Sequence, residues 1–167
     1  MEDLPFESET FDIATGINSF QFADDIVGAL AETRRVLRKD GTLLMLVWGR
    51  REDCELVSGT ASAVFALVPP APDARPTLPL AEPGTIEDLM RKARLKPMAS
   101  GEIASALTFR DADTAVRVVL AASARSIRHA GEEAVADTIR TTLPPFTRAD
   151  GSVVWNNRFR WVRAVRD

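Results

Sequence analysis

The stretch from Phe11 to Trp48 constrains the fold of this chain more than any other part of the sequence. A short apolar run that begins at Phe11 is followed by a polar loop, one amphipathic helix and a second apolar run that ends at Trp48. Apolar positions on the helix recur at the spacing of a single helical face, from Ile26 through Leu30 to Leu37. A strand, a helix and a strand in immediate succession predict parallel strands joined by a right-handed crossover.

The residues at the ends of these elements predict the helix cap, the turn before the second strand and the place where a ligand binds. We expect Asp24 or Asp25 to cap the helix, because a short carboxylate accepts hydrogen bonds from the free amides of a first turn. Asp40-Gly41 is predicted to form the tight turn that leads into the second strand. The run 43–47 is apolar on both faces, which is typical of a sheet covered on both sides. Ligands of such sheets bind beyond the carboxyl ends of the strands, here residues 15–18 and 48–50.

The rest of the chain is predicted to extend this unit. Residues 68–83 contain most of the ten prolines, so they form neither a regular helix nor a central strand, and act either as a lid or as a surface connection. Thr85 and Asp88 approximate a capping box. The predicted helices are 52–67, 85–95, 113–130 and 132–143, and the predicted strands are 97–109 and 152–165. Arginines alternate with apolar residues along the last strand, which predicts one solvated face or a strand that binds phosphate or carboxylate.

Three sequence motifs occur in a specific order near the N-terminus. They are Asp3-Leu4-Pro5-Phe6, the run from Ser8 to Ile13 that reads SETFDI, and the run from Ala31 to Gly41 that reads AETRRVLRKDG. In this order the motifs strongly resemble class I S-adenosylmethionine-dependent methyltransferases, and within them the small-molecule branch that includes the ubiquinone and menaquinone methylases. The resemblance implies a Rossmann-like three-layer α/β fold, with S-adenosylmethionine as cofactor and a small molecule as methyl acceptor.

The resemblance starts in the middle of the family's fold. The family's first three strands, which carry a glycine-rich cofactor loop, would precede Met1, and no two of the nine glycines here have G-x-G spacing. We therefore expect a single partial methyltransferase domain over residues 1–167 that lacks the first cofactor motif and is inactive alone. Its sheet should contain the family's strands in the order four, five, seven, six, with a helical insertion before the last strand. Residues 50–83 and 111–145 are expected to cover the substrate.

By the same resemblance, seven residues are candidates for contact with the cofactor. They are Asp3, Leu4, Thr15, Gly16, Asn18, Phe20 and Gln21. The first two correspond to a turn near the adenine, or else belong to a solvated tail. The next three follow the strand that ends beside the methionine moiety, where small residues admit a ligand, or they form only a tight turn. Phe20 and Gln21 lie in the loop that covers the sulfonium in the family. An aromatic face attracts the sulfonium charge, so Phe20 either contacts the cofactor or fills the core.

The composition argues against several other classes of protein. The net charge is −3 and no long basic cluster occurs, which disfavours binding to nucleic acid or to an anionic membrane. No apolar run approaches the length of a membrane span, and a single cysteine, Cys54, suits a reducing cytoplasm. Because His129 is the only histidine and has no partner at metal or triad spacing, we predict neither a metal site nor a catalytic triad.

Two functions from different classes follow from these observations. The first is methyl transfer to a small molecule, and the second is a non-catalytic methyltransferase-like module that associates with itself. In either case the first strand, residues 11–15, would be an uncovered apolar edge, and such an edge pairs with a neighbouring chain. We therefore expect a homodimer across this edge, or an exchange of the arm formed by residues 1–10. The sequence identifies neither the methyl acceptor nor a general base.

Overall fold

The computed structural model describes residues 1–69 and 78–167. In these ranges it contains four strands, β1 (Phe11–Ile17), β2 (Leu37–Trp48), β3 (Lys96–Phe109) and β4 (Val153–Val165). The α-helices of the same ranges are α1 (Ile26–Val36), α2 (Ser62–Ala66), α3 (Thr85–Lys92), α4 (Ala112–Ala121), α5 (Ala124–Ala130) and α6 (Glu132–Thr142). A π-helical segment, Leu56–Ala61, leads directly into α2, and short 3₁₀ turns lie at Phe20–Phe22, Arg51–Asp53 and Pro144–Phe146.

The four strands form one open sheet in the order β1-β2-β4-β3. β1 and β2 are parallel and are joined by α1, as the Phe11 to Trp48 stretch predicts, whereas β4 is antiparallel to β2. This order is the predicted four, five, seven, six of the methyltransferase sheet. The mixed α/β fold with a partial Rossmann-like sheet is therefore confirmed.

The described residues form two compact units. The first contains residues 1–50, 78–103 and 158–167, and its core packs α1 and α3 against the buried face of β2, which presents Leu43, Met45 and Val47. The second contains residues 51–69 and 104–157, and its core includes Ile139 and Trp155. The predicted substrate cover, 50–83 and 111–145, falls mainly in the second unit, while its residues 70–77 lie outside the described ranges. Its role as a cover stays a prediction.

The predicted helix 113–130 is two helices, α4 and α5. The predicted start at residue 113 is correct to within one residue, since α4 begins at Ala112. Asp111 caps α4 by accepting a hydrogen bond of 2.7 Å from the amide of Thr114. The break falls at Ser123, whose buried hydroxyl donates to the carbonyl of Val119 at 2.6 Å. A serine hydroxyl that bonds to the backbone in this way offers an alternative to the regular helical ladder.

At two predicted helix caps the expected capping hydrogen bond is absent. Asp25, one of the two predicted caps of α1, is its N-cap residue, but its side chain accepts no capping bond; its own amide donates to Glu2 Oε1 at 2.8 Å. The capping box at Thr85 does not form, because α3 is entered through Gly84 at a φ of 89°. With this left-handed glycine as the cap, Thr85 is already helical, and its side chain makes no cap bond.

The Asp40-Gly41 pair lies inside β2, not in a turn before it. β2 begins at Leu37, and Asp40 has a positive φ of 63°. The amide of Asp40 donates to the carbonyl of Arg166 at 2.8 Å, and the amide of Arg166 donates to Gly41 at 2.9 Å. Pairing with the last residues of the chain therefore keeps this irregular stretch within the sheet.

The C-terminus of α3 is a Schellman motif with an unusual residue in it. The amide of Leu95 donates to Met90 and the amide of Arg94 donates to Arg91, both at 2.9 Å, which are the two bonds that define the motif. Arg94 occupies the left-handed position, with a φ of 58°. Glycine is usual there, and a side chain in this conformation costs about 1–2 kcal/mol.

Candidate functional site

β1 borders a cavity of about 280 Å³ in the first unit. The cavity lies between the N-terminal arm, β1 and α1, and it is bordered by four of the seven predicted site residues, Leu4, Thr15, Gly16 and Phe20. The other three, Asp3, Asn18 and Gln21, are not among its lining residues. The structure thus brings together residues from all three predicted groups, namely the turn at Leu4, the end of β1 and the loop at Phe20.

The arm that walls the cavity is held by the last turn of α1. Arg35 donates through Nη2 to the carbonyl of Leu4 at 3.1 Å and through Nη1 to Ser8 Oγ at 3.3 Å, and it also pairs with Glu32. The amide of Glu9 in turn donates to the carbonyl of Arg35 at 3.0 Å. These contacts explain why the first and third motifs occur together: the glutamate and arginine of the helix motif fix the turn that carries Leu4.

Phe20 closes the cavity over Gly16. The Phe20 side chain is 4% exposed and belongs to the core of the first unit. A Cβ atom on Gly16 would lie 2.1 Å from Cε2 of Phe20, so no side chain fits at this position while the ring stays where it is. The glycine therefore gives room to an aromatic ring of the same chain, which favours the core-filling interpretation of Phe20.

Asn18 and Gln21 contribute buried acceptors just beyond the carboxyl end of β1. Asn18 has a left-handed backbone, with a φ of 46°, and its amide donates to Leu46 at 2.8 Å. Oδ1 of Asn18 and Oε1 of Gln21 are both buried and have no hydrogen-bond partner among the described residues. An unsatisfied buried acceptor costs about 1–3 kcal/mol, so either oxygen would gain from a donor. Asp3, by contrast, is exposed.

The lining of the cavity fits only part of S-adenosylmethionine. Its polar side chains are the hydroxyls of Thr15, Ser19 and Thr33, and no lining side chain carries a charge. A neutral, planar group such as the adenine ring suits an apolar wall of this kind. The ammonium of the methionine moiety and the ribose hydroxyls need charged or strongly accepting partners, which this lining lacks. The lining of this cavity therefore does not fit the whole cofactor.

A buried ion pair in the first unit was missed at the sequence level. Arg160 lies opposite Val47 in the sheet, is 5% exposed, and donates through Nη2 to Glu87 Oε1 at 2.5 Å. The prediction of a solvated arginine face on β4 is therefore wrong at this position. Nothing in the local sequence indicates the pairing, because the two residues are 73 positions apart.

The ion pair has a defined electrostatic state. Burial alone would raise the pKa of Glu87, but hydrogen bonds from its own amide and from Ser100, together with the charge of Arg160, outweigh burial and hold the pKa below its ordinary value of 4.5. Glu87 is thus a carboxylate at neutral pH. Nε of Arg160 is buried without a partner among the described residues.

Residues 1–69 and 78–167 contain neither a candidate metal cluster nor a candidate membrane-spanning helix. In these ranges, no group of three or more His, Cys, Asp or Glu side chains lies close enough together to hold a metal ion. None of the helices that the structure describes combines the length and the apolar character needed to cross a bilayer.

Comparison with known proteins identifies the class of fold. A putative methyltransferase from Bacillus halodurans superposes with a TM-score of 0.56 and 14% identity, over 99% of this chain and 68% of that one. The YcgJ protein from Bacillus subtilis superposes with a TM-score of 0.51 and 18% identity, again over 99% and 68%. The chain has the Rossmann-like fold of class I methyltransferases.

The sequence comparison then narrows the resemblance. Residues 1–45, which contain the arm, β1, α1 and the first part of β2, match the family described as methyltransferase domain. No curated protein matches the chain. The resemblance to class I methyltransferases inferred from the three motifs is thus confirmed, and the matched residues are those that build most of the cavity wall.

Proposed function

We propose that this chain takes part in S-adenosylmethionine-dependent methyl transfer to a small molecule. The observation that carries the proposal is the match of residues 1–45 to the methyltransferase domain, because these residues also form the cavity beside β1. Leu4 and Thr15 would contact a neutral ring of the cofactor there. The charged end of the cofactor needs groups that the cavity lining lacks, so the 167-residue chain by itself should bind the cofactor weakly and be inactive.

Titration of the ¹⁵N-labelled chain with S-adenosylmethionine tests this proposal. We expect chemical-shift changes at the amides of Leu4, Thr15 and Gly16 that saturate only at ligand concentrations on the order of 1 mM. Adenosine should reproduce these changes, since it carries the neutral ring, and methionine should not.

Two variants test whether the shifts come from binding in the cavity beside β1. Leu4→Asp places a charge in the apolar wall and should abolish the shifts. Glu7→Ala, on an exposed residue of the same arm that does not line the cavity, should preserve them. An absence of shifts around the cavity would contradict the proposed function, whereas micromolar binding would contradict the claim that the chain is deficient in cofactor binding.

Self-association through β1 is a second candidate function, supported by a separate observation. Among the described residues β1 pairs only with β2, so its other edge is open. Two apolar side chains of this strand, Ile13 and Ile17, are 67% and 63% exposed. An open edge with exposed apolar residues is a pairing site, and we propose a homodimer in which β1 of one protomer pairs with β1 of its partner.

Light scattering coupled to size exclusion tests the homodimer. The wild-type chain should elute at twice its monomer mass of 18.3 kDa, and Ile13→Lys should shift the mass to the monomer, because an edge lysine opposes strand pairing. Ile103→Lys is the matched control, since this residue is 52% exposed on β3. A monomeric wild-type chain, or equal effects of the two lysines, would defeat the proposal.

A further inference from the structure

A second cavity, of about 350 Å³, lies where α3 ends and β3 begins. Its lining contains three cationic side chains, Arg91, Arg94 and Lys96, and one carboxylate, Asp167. Arg91 already pairs with Asp88 at 2.6 Å. The side chains of Arg94 and Lys96 have no hydrogen-bond or ion-pair partner within residues 1–69 and 78–167. The cavity therefore presents two unpaired cations beside a third.

The backbone of Arg94 is strained, with a φ of 58°. Arg94 is the left-handed residue of the Schellman motif that ends α3, where glycine would be unstrained. The backbone is fixed in this conformation, because the carbonyl of Arg94 accepts a hydrogen bond of 3.0 Å from Arg34 Nε. Strained non-glycine residues cluster at sites where the side chain has a function, and the side chain of Arg94 gives a positive charge to this cavity.

We propose that this cavity binds a small, multiply charged oxyanion, such as a phosphate group. The guanidinium of Arg94 presents paired donors that match phosphate oxygens, and Lys96 adds a compact positive charge. Asp167 supplies the negative charge in the lining, and it weakens the attraction that the two unpaired cations, Arg94 and Lys96, exert on an anion. The inference does not depend on methyl transfer, since no residue of this cavity lines the one beside β1.

Pyrophosphate is the probe that tests the site. The amides of Arg94, Leu95 and Lys96 should show saturable shifts when it is added at constant ionic strength set with chloride. Arg94→Gly should weaken binding about tenfold, because it removes the guanidinium fork. The same variant should raise the Tm by about 2–4 °C, because glycine relieves the left-handed strain. Asp167→Asn should strengthen binding severalfold, because it removes the opposing charge.

Two control variants distinguish pyrophosphate binding at this cavity from general attraction to positive charge. Arg94→Lys keeps the charge but loses the paired donors, so its affinity should fall between those of the wild type and Arg94→Gly. Arg125→Ala, at an exposed arginine of α5, removes one charge that does not line the cavity and should leave binding unchanged. If Arg125→Ala weakens binding as much as Arg94→Gly, or if Arg94→Gly binds like the wild type, the site is refuted. A lower Tm for Arg94→Gly would refute the strain argument on which the inference rests.

Discussion

Replacing Glu87 by alanine should destabilise the protein by about 3–5 kcal/mol, because it leaves Arg160 as a buried charge without its counter-ion. Arg160 is 5% exposed and its Nε already lacks a partner among the described residues, so the guanidinium has little access to compensating water. Urea denaturation followed by circular dichroism would measure the loss as a lower midpoint at an unchanged slope.

A double variant distinguishes loss of the ion pair from loss of packing. Glu87→Ala combined with Arg160→Met removes both charges and should recover most of the stability, since a buried ion pair can be replaced by apolar residues at little cost. If the double variant is as unstable as Glu87→Ala alone, the effect comes from packing around α3 and not from the unpaired charge.

The ion pair should also make the free energy of unfolding depend on pH in the acid range. The pKa of Glu87 is lower in the folded state than its ordinary value of 4.5, so the unfolded chain takes up this proton first as the pH falls. The stabilisation is therefore complete above pH 4.5 and is lost as the pH falls through the folded pKa. The double variant should lack this part of the acid sensitivity, and unfolding curves between neutral pH and pH 3 would show the difference.

Replacing Arg166 by alanine should cost about 2–3 kcal/mol, because its guanidinium satisfies several carbonyls at the end of α1. Nη1 donates to the carbonyls of Arg34 at 3.3 Å and Arg35 at 3.2 Å, and also to that of Leu37. Nη2 pairs with Glu9 Oε1 at 2.6 Å, which ties the N-terminal arm to the same helix end. A cation at this position also complements the negative pole of the helix.

The matched control for Arg166 lies three residues earlier on β4. Arg163→Ala, at an exposed position, should change stability by less than about 0.5 kcal/mol. The stability of Arg166→Lys should fall between those of Arg166→Ala and Arg163→Ala, because lysine keeps the charge but loses the fork that reaches several carbonyls. In Arg166→Ala the amide of Leu4 should also shift, as the arm loses its anchor at Glu9. Equal stabilities for Arg166→Ala and Arg163→Ala would contradict this account.

Much of the architecture was predicted from local pattern. The apolar periodicity of α1 and the apolar run of β2 gave a parallel βαβ unit, and the resemblance gave the strand order that the sheet shows. Strand limits at β3 and β4 were correct to within one residue. The motifs also indicated the Leu4 turn and the end of β1, which share a cavity, although whether these residues bind a cofactor stays a prediction.

The sequence by itself determined the elements whose signals are local, because periodicity and turn chemistry act over a few neighbouring residues. Only the tertiary structure decided which polar groups meet, since such contacts join residues far apart in the chain. Arg160 reaches Glu87 across 73 positions and Arg166 reaches Arg35 across 131. The same reason applies to Phe20, whose ring could face a ligand or fill the core until the backbone at Gly16 fixed its place.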